Sequence, residues 1–193
     1  MRGLLGGLSI AILGLGACKP AHPADAGGFA TAFVDAARGE GLGADWVDDV
    51  MIARIRRAQR LQNAAKAKAT PEQLARAWND DPTPGLPYEQ RSKLQRDRAA
   101  HGIKRSLHGR CDARDDHEGV AKRVEAVSAS IEGAPADAKE ELARLARDLS
   151  SAHLVRVNCD DGAVGLVLVP SGKSWQAVDV FPLGGLHMPV PQP

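Results

Sequence analysis

Aromatic side chains are scarce in this chain: one tyrosine, three tryptophans and three phenylalanines stand among 193 residues. With alanine abundant instead, helices packed through small side chains are favoured over an aromatic-rich all-β fold. Cysteine is equally sparse, at three copies, so the core must come from ordinary apolar burial, for which one domain of this length suffices. Neither sign of charge dominates, since Lys and Arg number 25 and Asp and Glu 24. That balance argues against a dedicated nucleic-acid binder. The sequence has no G-x-S-x-G, H-E-x-x-H or S-x-x-K arrangement, so the common hydrolase signatures are missing. The chain contains no internal repeat.

What is present begins at the N-terminus. Met1 and Arg2 form a minimal positive segment, and Gly3 to Leu15 is uncharged and rich in Leu, Ile, Gly and Ala. A membrane-spanning helix needs about 20 apolar residues; this run is shorter and has the proportions of a signal-peptide core. It ends in Leu15-Gly16-Ala17-Cys18. This resembles the lipobox of bacterial lipoproteins: an aliphatic residue, two small residues, and the cysteine that is acylated and becomes the new N-terminus. The resemblance implies a signal peptide over 1–17 and a membrane held through palmitate-type acyl chains on Cys18. The family's cysteine carries three such chains, and two or more suffice for stable anchoring. Lys19 stands where lipoproteins retained in the inner membrane of enteric bacteria usually have Asp. The resemblance therefore implies the outer membrane, facing the periplasm. Residues 18–28, with Pro, Ala and Gly and no hydrophobic period, read as a flexible tether.

A domain over 29–183 follows. Phe29, Phe33 and Ala37 predict a short first helix stopped by Gly39 and Gly41. Trp46, Val47, Val50, Met51, Ile55, Ala58 and Leu61 form one apolar stripe, with Asp45, Asp48 and Asp49 at its start and Arg54, Arg56, Arg57 and Arg60 mostly off it, an arrangement suited to the helix dipole. Thr70-Pro71-Glu72-Gln73 predicts a capping box. The proline-rich loop over 79–87 is the clearest internal boundary. Tyr88 to about His101 is helical by propensity, with Gly102 and Gly109 as expected interruptions. Val120, Val124, Val127 and Ile131 predict another helix, and Leu142, Leu145 and Leu149 a last one.

The hydrophobic period then changes from 3.6 to 2. Leu154–Val157, Val164–Val169 and Trp175–Phe181 predict three strands, separated by turns at Asp160-Asp161-Gly162 and Pro170-Ser171-Gly172-Lys173. The expected class is α+β, mostly helical, with a C-terminal three-stranded antiparallel meander and helices on one of its faces. Residues 184–193 read as a flexible tail.

Several residue groups invite a chemical reading. Cys111 and Cys159 are the only cysteines left after lipidation, and export makes a disulfide between them the expectation, worth up to about 4 kcal/mol for so long a loop. His101, His108, Cys111, Asp115, His117 and Glu118 cluster in sequence but match no metal-ligand spacing, so a polar loop with no metal or cofactor is expected. Gly172-Lys173-Ser174 echoes the end of a phosphate-binding loop, yet Val167 occupies the position of its first glycine and a strand follows instead of a helix. Asp160, Asp161 and Asp179 are carboxylates that a cleft would use, although the first two are turn residues by type. Finally, Arg91, Lys93, Arg96, Arg98, Lys104, Arg105 and Arg110 face a single acid, Asp97, over twenty residues. Such a segment on a lipid-tethered protein is a candidate site for an anionic envelope component.

The ending, a cysteine-bearing strand, a tight turn, a valine-rich strand and a tryptophan-bearing strand closing on Val178-Asp179-Val180, is similar to the last hairpin of cone-shaped nuclear-transport-factor-like domains. Over about thirty residues that resemblance implies a binding fold and no particular site residue. The expectation is a lipid-anchored, non-catalytic binding or structural module of the envelope. A small periplasmic hydrolase or metal-dependent enzyme is the alternative.

Overall fold

A computed structural model describes residues 22–80, 85–128 and 132–183; the expected leader with Cys18, and the expected tail over 184–193, lie outside the described residues. The chain is α+β. Its elements are α1 (Ala26–Arg38), a 3-10 turn (Ala44–Trp46), α2 (Asp49–Lys66), α3 (Pro71–Asn79), α4 (Tyr88–Ser106), β1 (Cys111–Asp115), α5 (His117–Ser128), α6 (Ala136–Asp148), a 3-10 turn (Leu149–Ser151), β2 (His153–Cys159), β3 (Gly162–Ser171) and β4 (Ser174–Leu183).

Local chemistry sets the helix starts. The Asp25 carboxylate accepts from the Gly28 amide at 2.6 Å and Asp48 accepts from Met51 at 2.9 Å, each satisfying an otherwise orphaned donor and contributing about 1 kcal/mol. Thr70 and Gln73 complete the predicted capping box of α3, with Pro71 at its first position. Trp46 belongs to the 3-10 turn, and Val47 pairs as a single bridge with Ala177 before α2 begins. The helix thus starts later than its apolar stripe.

The sheet is antiparallel in the order β1-β2-β3-β4. The three predicted strands are present, and a fourth, β1, adds to their edge. In Cys111-Asp112-Ala113-Arg114-Asp115 only two small side chains alternate inward, too little apolar signal to separate an edge strand from a polar loop. Its pairing sets Cys111 directly opposite Cys159.

Helices lie on both faces of the sheet, not on one. On the first face, Val155, Val157, Val164, Leu166, Leu168 and Ala177 meet Phe29, Phe33 and Val34 of α1 and Ile103 of α4. On the second, Leu154, Val167, Val169 and Val178 meet Met51, Ile55, Leu142 and Leu145 from α2 and α6. Each fully buried aliphatic side chain contributes about 1.5 to 3 kcal/mol. A bulge makes this double use of β4 workable. Leu168 pairs with Ala177 and Val167 with Asp179, so Val178 is the extra residue and turns into the second core while Ala177 fills the first.

Two further expectations change. Residues 22–28 do not behave as a tether: His22 lies against Trp46 and Phe29 with ring centroids 4.0 and 5.6 Å away, and the Pro23 and Ala24 carbonyls accept from Ser174 and Trp175. Contacts from residues far along the chain order a segment whose own sequence has no period. Gly102 does not interrupt α4, which continues to Ser106; Gly102 and Ile103 line a small apolar gap beside Val164, Val180 and Pro182. One glycine costs a helix about 1 kcal/mol, less than burial of Ile103 returns.

Candidate functional site

Helix α4 carries six of the seven cations of the basic segment, and its tertiary neighbours divide them. Its inner side presents Ser92, Ala100 and Ile103 to the body of the protein. Arg96 falls on that side and meets Asp49 of α2 at 2.5 Å, with side-chain exposures of 14% and 13%. Arg96 therefore does not belong to an accessible binding surface, contrary to its sequence assignment: helical phase turns it inward, where a carboxylate receives it. Lys93 is exposed but pairs with Asp97 one turn on, at 2.7 Å. Arg91 is half-buried. Arg98, Lys104 and Arg105 lie exposed on the outer side, and no carboxylate among the described residues comes within salt-bridge distance of them. Arg110 is exposed beyond the helix, in the loop that leads to β1. Leu86, Tyr88 and Leu94, at 37 to 46% exposure, edge the N-terminal half of the same surface.

The segment after α4 is held to the sheet by the Asp160-Asp161 turn. Asp161 accepts from the His108 amide at 2.6 Å and from its ring at 2.5 Å, and Asp160 accepts from the Arg110 amide at 2.9 Å. The His108 amide, then its imidazole, hold the Asp161 carboxyl below the usual aspartate range. Gly109 has φ +73°, and a Cβ there would stand 1.9 Å from Asp160 Oδ2. These carboxylates clamp a loop and do not converge on a cleft. Asp179 sits apart, at the β4 bulge. Cys111 and Cys159 form the expected disulfide, with Cα atoms 4.1 Å apart, and close the same end of the sheet. Gly172 and Lys173 turn β3 directly into β4, so the glycine-lysine-serine run joins strand to strand.

The sequence cluster of metal-type residues is dispersed. His101 is exposed on α4, His108 bonds Asp161, Cys111 is oxidised, and Asp115 bonds His153 at 2.6 Å. His117 and Glu118 open α5. Among the described residues, no three His, Cys, Asp or Glu side chains come together in a way that would hold a metal ion.

One feature escaped the sequence. Helices cover only part of the second sheet face, and beside them Asp112, Arg114, Asp115, Asp116, Arg156 and Asn158 line an open cleft of about 580 Å³. Arg156 reaches Asp116 at 3.3 Å and Arg114 reaches Asp112 at 3.2 Å, the latter pair 77% and 70% exposed. Exposed pairs of this kind contribute about 0 to 1 kcal/mol. Asp116 has a structural task as well, accepting from the Gly119 amide at 3.1 Å at the start of α5. Alternation of Asp, Ala and Arg was the only available signal, and it shows a strand with one polar face without showing that the face is left open. The cleft offers polar groups of both signs and no isolated, desolvated charge.

No protein-family profile, no curated protein and no solved structure matches this chain.

Proposed function

We propose that this chain is a lipid-anchored protein of the bacterial envelope, acylated at Cys18 and held at the outer membrane on its periplasmic side, and that it works as a non-catalytic binding module. Its contact surface is the outer side of α4, and its partner is an anionic envelope component such as a phosphorylated or carboxylated glycan or lipid. The leader and its Leu15-Gly16-Ala17-Cys18 ending support the address. The observation that carries the binding role is the exposure of Arg98, Lys104 and Arg105 together on one helix, where Arg96 is consumed by Asp49. Each cation close to an anionic surface contributes about 1 kcal/mol, so three of them amount to on the order of a hundredfold in affinity.

The test uses the domain without its leader against vesicles rich in anionic lipid and against lipopolysaccharide. Binding is expected to weaken steeply with salt and to fall on the order of a hundredfold when Arg98, Lys104 and Arg105 are changed together to Gln. Equal binding by the triple variant refutes the α4 surface. The anchor is checked separately: fatty-acid labelling is expected on the wild-type chain and absent from Cys18→Ser.

A further inference from the structure

An acyl anchor on Cys18 would sit close to one patch of the folded domain, and the chemistry of that patch suits a membrane interface. Three residues, Lys19, Pro20 and Ala21, separate Cys18 from His22 in the sequence. Even fully extended, that length of chain spans roughly 14 Å. His22 is not a free end. Its ring packs on Trp46 and Phe29 and its Nε2 lies 3.2 Å from Asp45 Oδ2. The next two residues are fixed by β4, with Ser174 Oγ donating to the Pro23 carbonyl at 3.2 Å and Trp175 Nε1 donating to the Ala24 carbonyl at 2.8 Å.

Around this fixed point lie two of the protein's three tryptophans, both half-buried: Trp46 against His22, and Trp175 beside the exposed β3–β4 turn with Lys173. The third, Trp78, is 2% exposed in the other core. Half-buried tryptophan with one wet edge is the side chain that settles at the headgroup level of a bilayer. Local charge is mixed, Lys173 against Asp25 and Asp45, so aromatic partition rather than electrostatic attraction would drive the contact.

We propose that the patch formed by His22, Trp46, Lys173 and Trp175 is a membrane-docking surface that seats the domain against the phospholipid headgroup layer in one orientation. The proposal rests on acylation of Cys18. It is separate from the α4 surface: docking is insensitive to salt, and it presents no requirement for anionic lipid.

The full acylated chain is reconstituted into phosphatidylcholine vesicles whose acyl chains are brominated near the headgroup, with acylation verified by the mass of the N-terminal peptide. Tryptophan emission is expected to be quenched, with quenching retained in high salt. Trp46→Phe and Trp175→Phe are each expected to reduce it, and the double variant, which keeps only Trp78, to lose it. On the wild-type protein, amine labelling of Lys173 is expected to slow severalfold on vesicles, while Lys66, at the C-terminal end of α2, and Lys68, just beyond it, keep their solution rate. An acylated, vesicle-bound protein with unquenched tryptophan and freely labelled Lys173 overturns the docking surface and leaves the anchor standing. A chain without acyl groups that stays off the vesicles removes the anchor, and the docking proposal falls with it.

Discussion

Helices α2 and α4 are both rich in arginine, yet the protein uses their cations in opposite ways. On α2, Arg54 spans to α6, bonding Glu141 and, at 2.7 Å, Asp148. Arg57 donates to the Trp78 carbonyl at 2.6 Å while its guanidinium lies 4.1 Å above the Trp78 ring, and Arg60 donates to the Asp80 carbonyl at 3.1 Å. These side chains fasten α2 to α3 and α6. On α4, Arg98, Lys104 and Arg105 are exposed, whereas Arg96 reaches across to Asp49 as the α2 set reaches its neighbours. Helix α2 is flanked by neighbours that supply carboxylates, carbonyls and an indole; among the described residues no carboxylate comes within salt-bridge distance of Arg98, Lys104 or Arg105 on α4. A run of cations in sequence thus says nothing about whether they serve as internal fasteners or as a free surface.

Three substitutions probe this contrast. Arg54→Ala has the largest expected effect, because it removes the cation shared by two α6 carboxylates, leaving Glu141, at 23% exposure, only the longer contact with Arg144 at 3.7 Å and Asp148, at 38%, without its Arg54 bond. A loss of about 2 to 3 kcal/mol is expected, read as a lower urea midpoint at unchanged slope. Arg96→Gln comes next, at about 1 to 2 kcal/mol. Its partner Asp49 is well buried but lies in the first turn of α2, where the helix dipole stabilises the carboxylate left behind. The combined Arg98, Lys104 and Arg105 to Gln variant is expected to stay within about 0.5 kcal/mol of wild type in the same unfolding measurement, even as it loses anionic binding. If that variant unfolds as readily as Arg54→Ala, the division between fastening and surface cations is wrong.

The legible parts of the sequence were those whose signal is local. The Thr70–Gln73 capping box, the turns at Asp160-Asp161-Gly162 and Gly172-Lys173, and the alternation in β2, β3 and β4 involve residues within a few positions of each other. The Cys111–Cys159 pairing was readable by elimination, since only two cysteines follow Cys18. Elsewhere the controlling partner lies far along the chain. Strand β1 exists because β2 offers an edge and α1 covers Ala113, 86 positions after Gly27 whose backbone approaches it. The ordering of His22 to Ala24 depends on Ser174 and Trp175, 151 positions away.

For the candidate surface the same division holds. Composition and periodicity alone determined a mixed α+β chain, a cation-rich helix after the proline loop and a strand-rich ending, because charge, capping and hydrophobic period are properties of neighbouring residues. Only the tertiary structure decided that the sheet is covered on both faces, that Arg96 turns inward to Asp49, and that the second face of β1 and β2 opens as a polar cleft. Each of those depends on which distant group fills the space beside a side chain, and a linear pattern carries no record of that space.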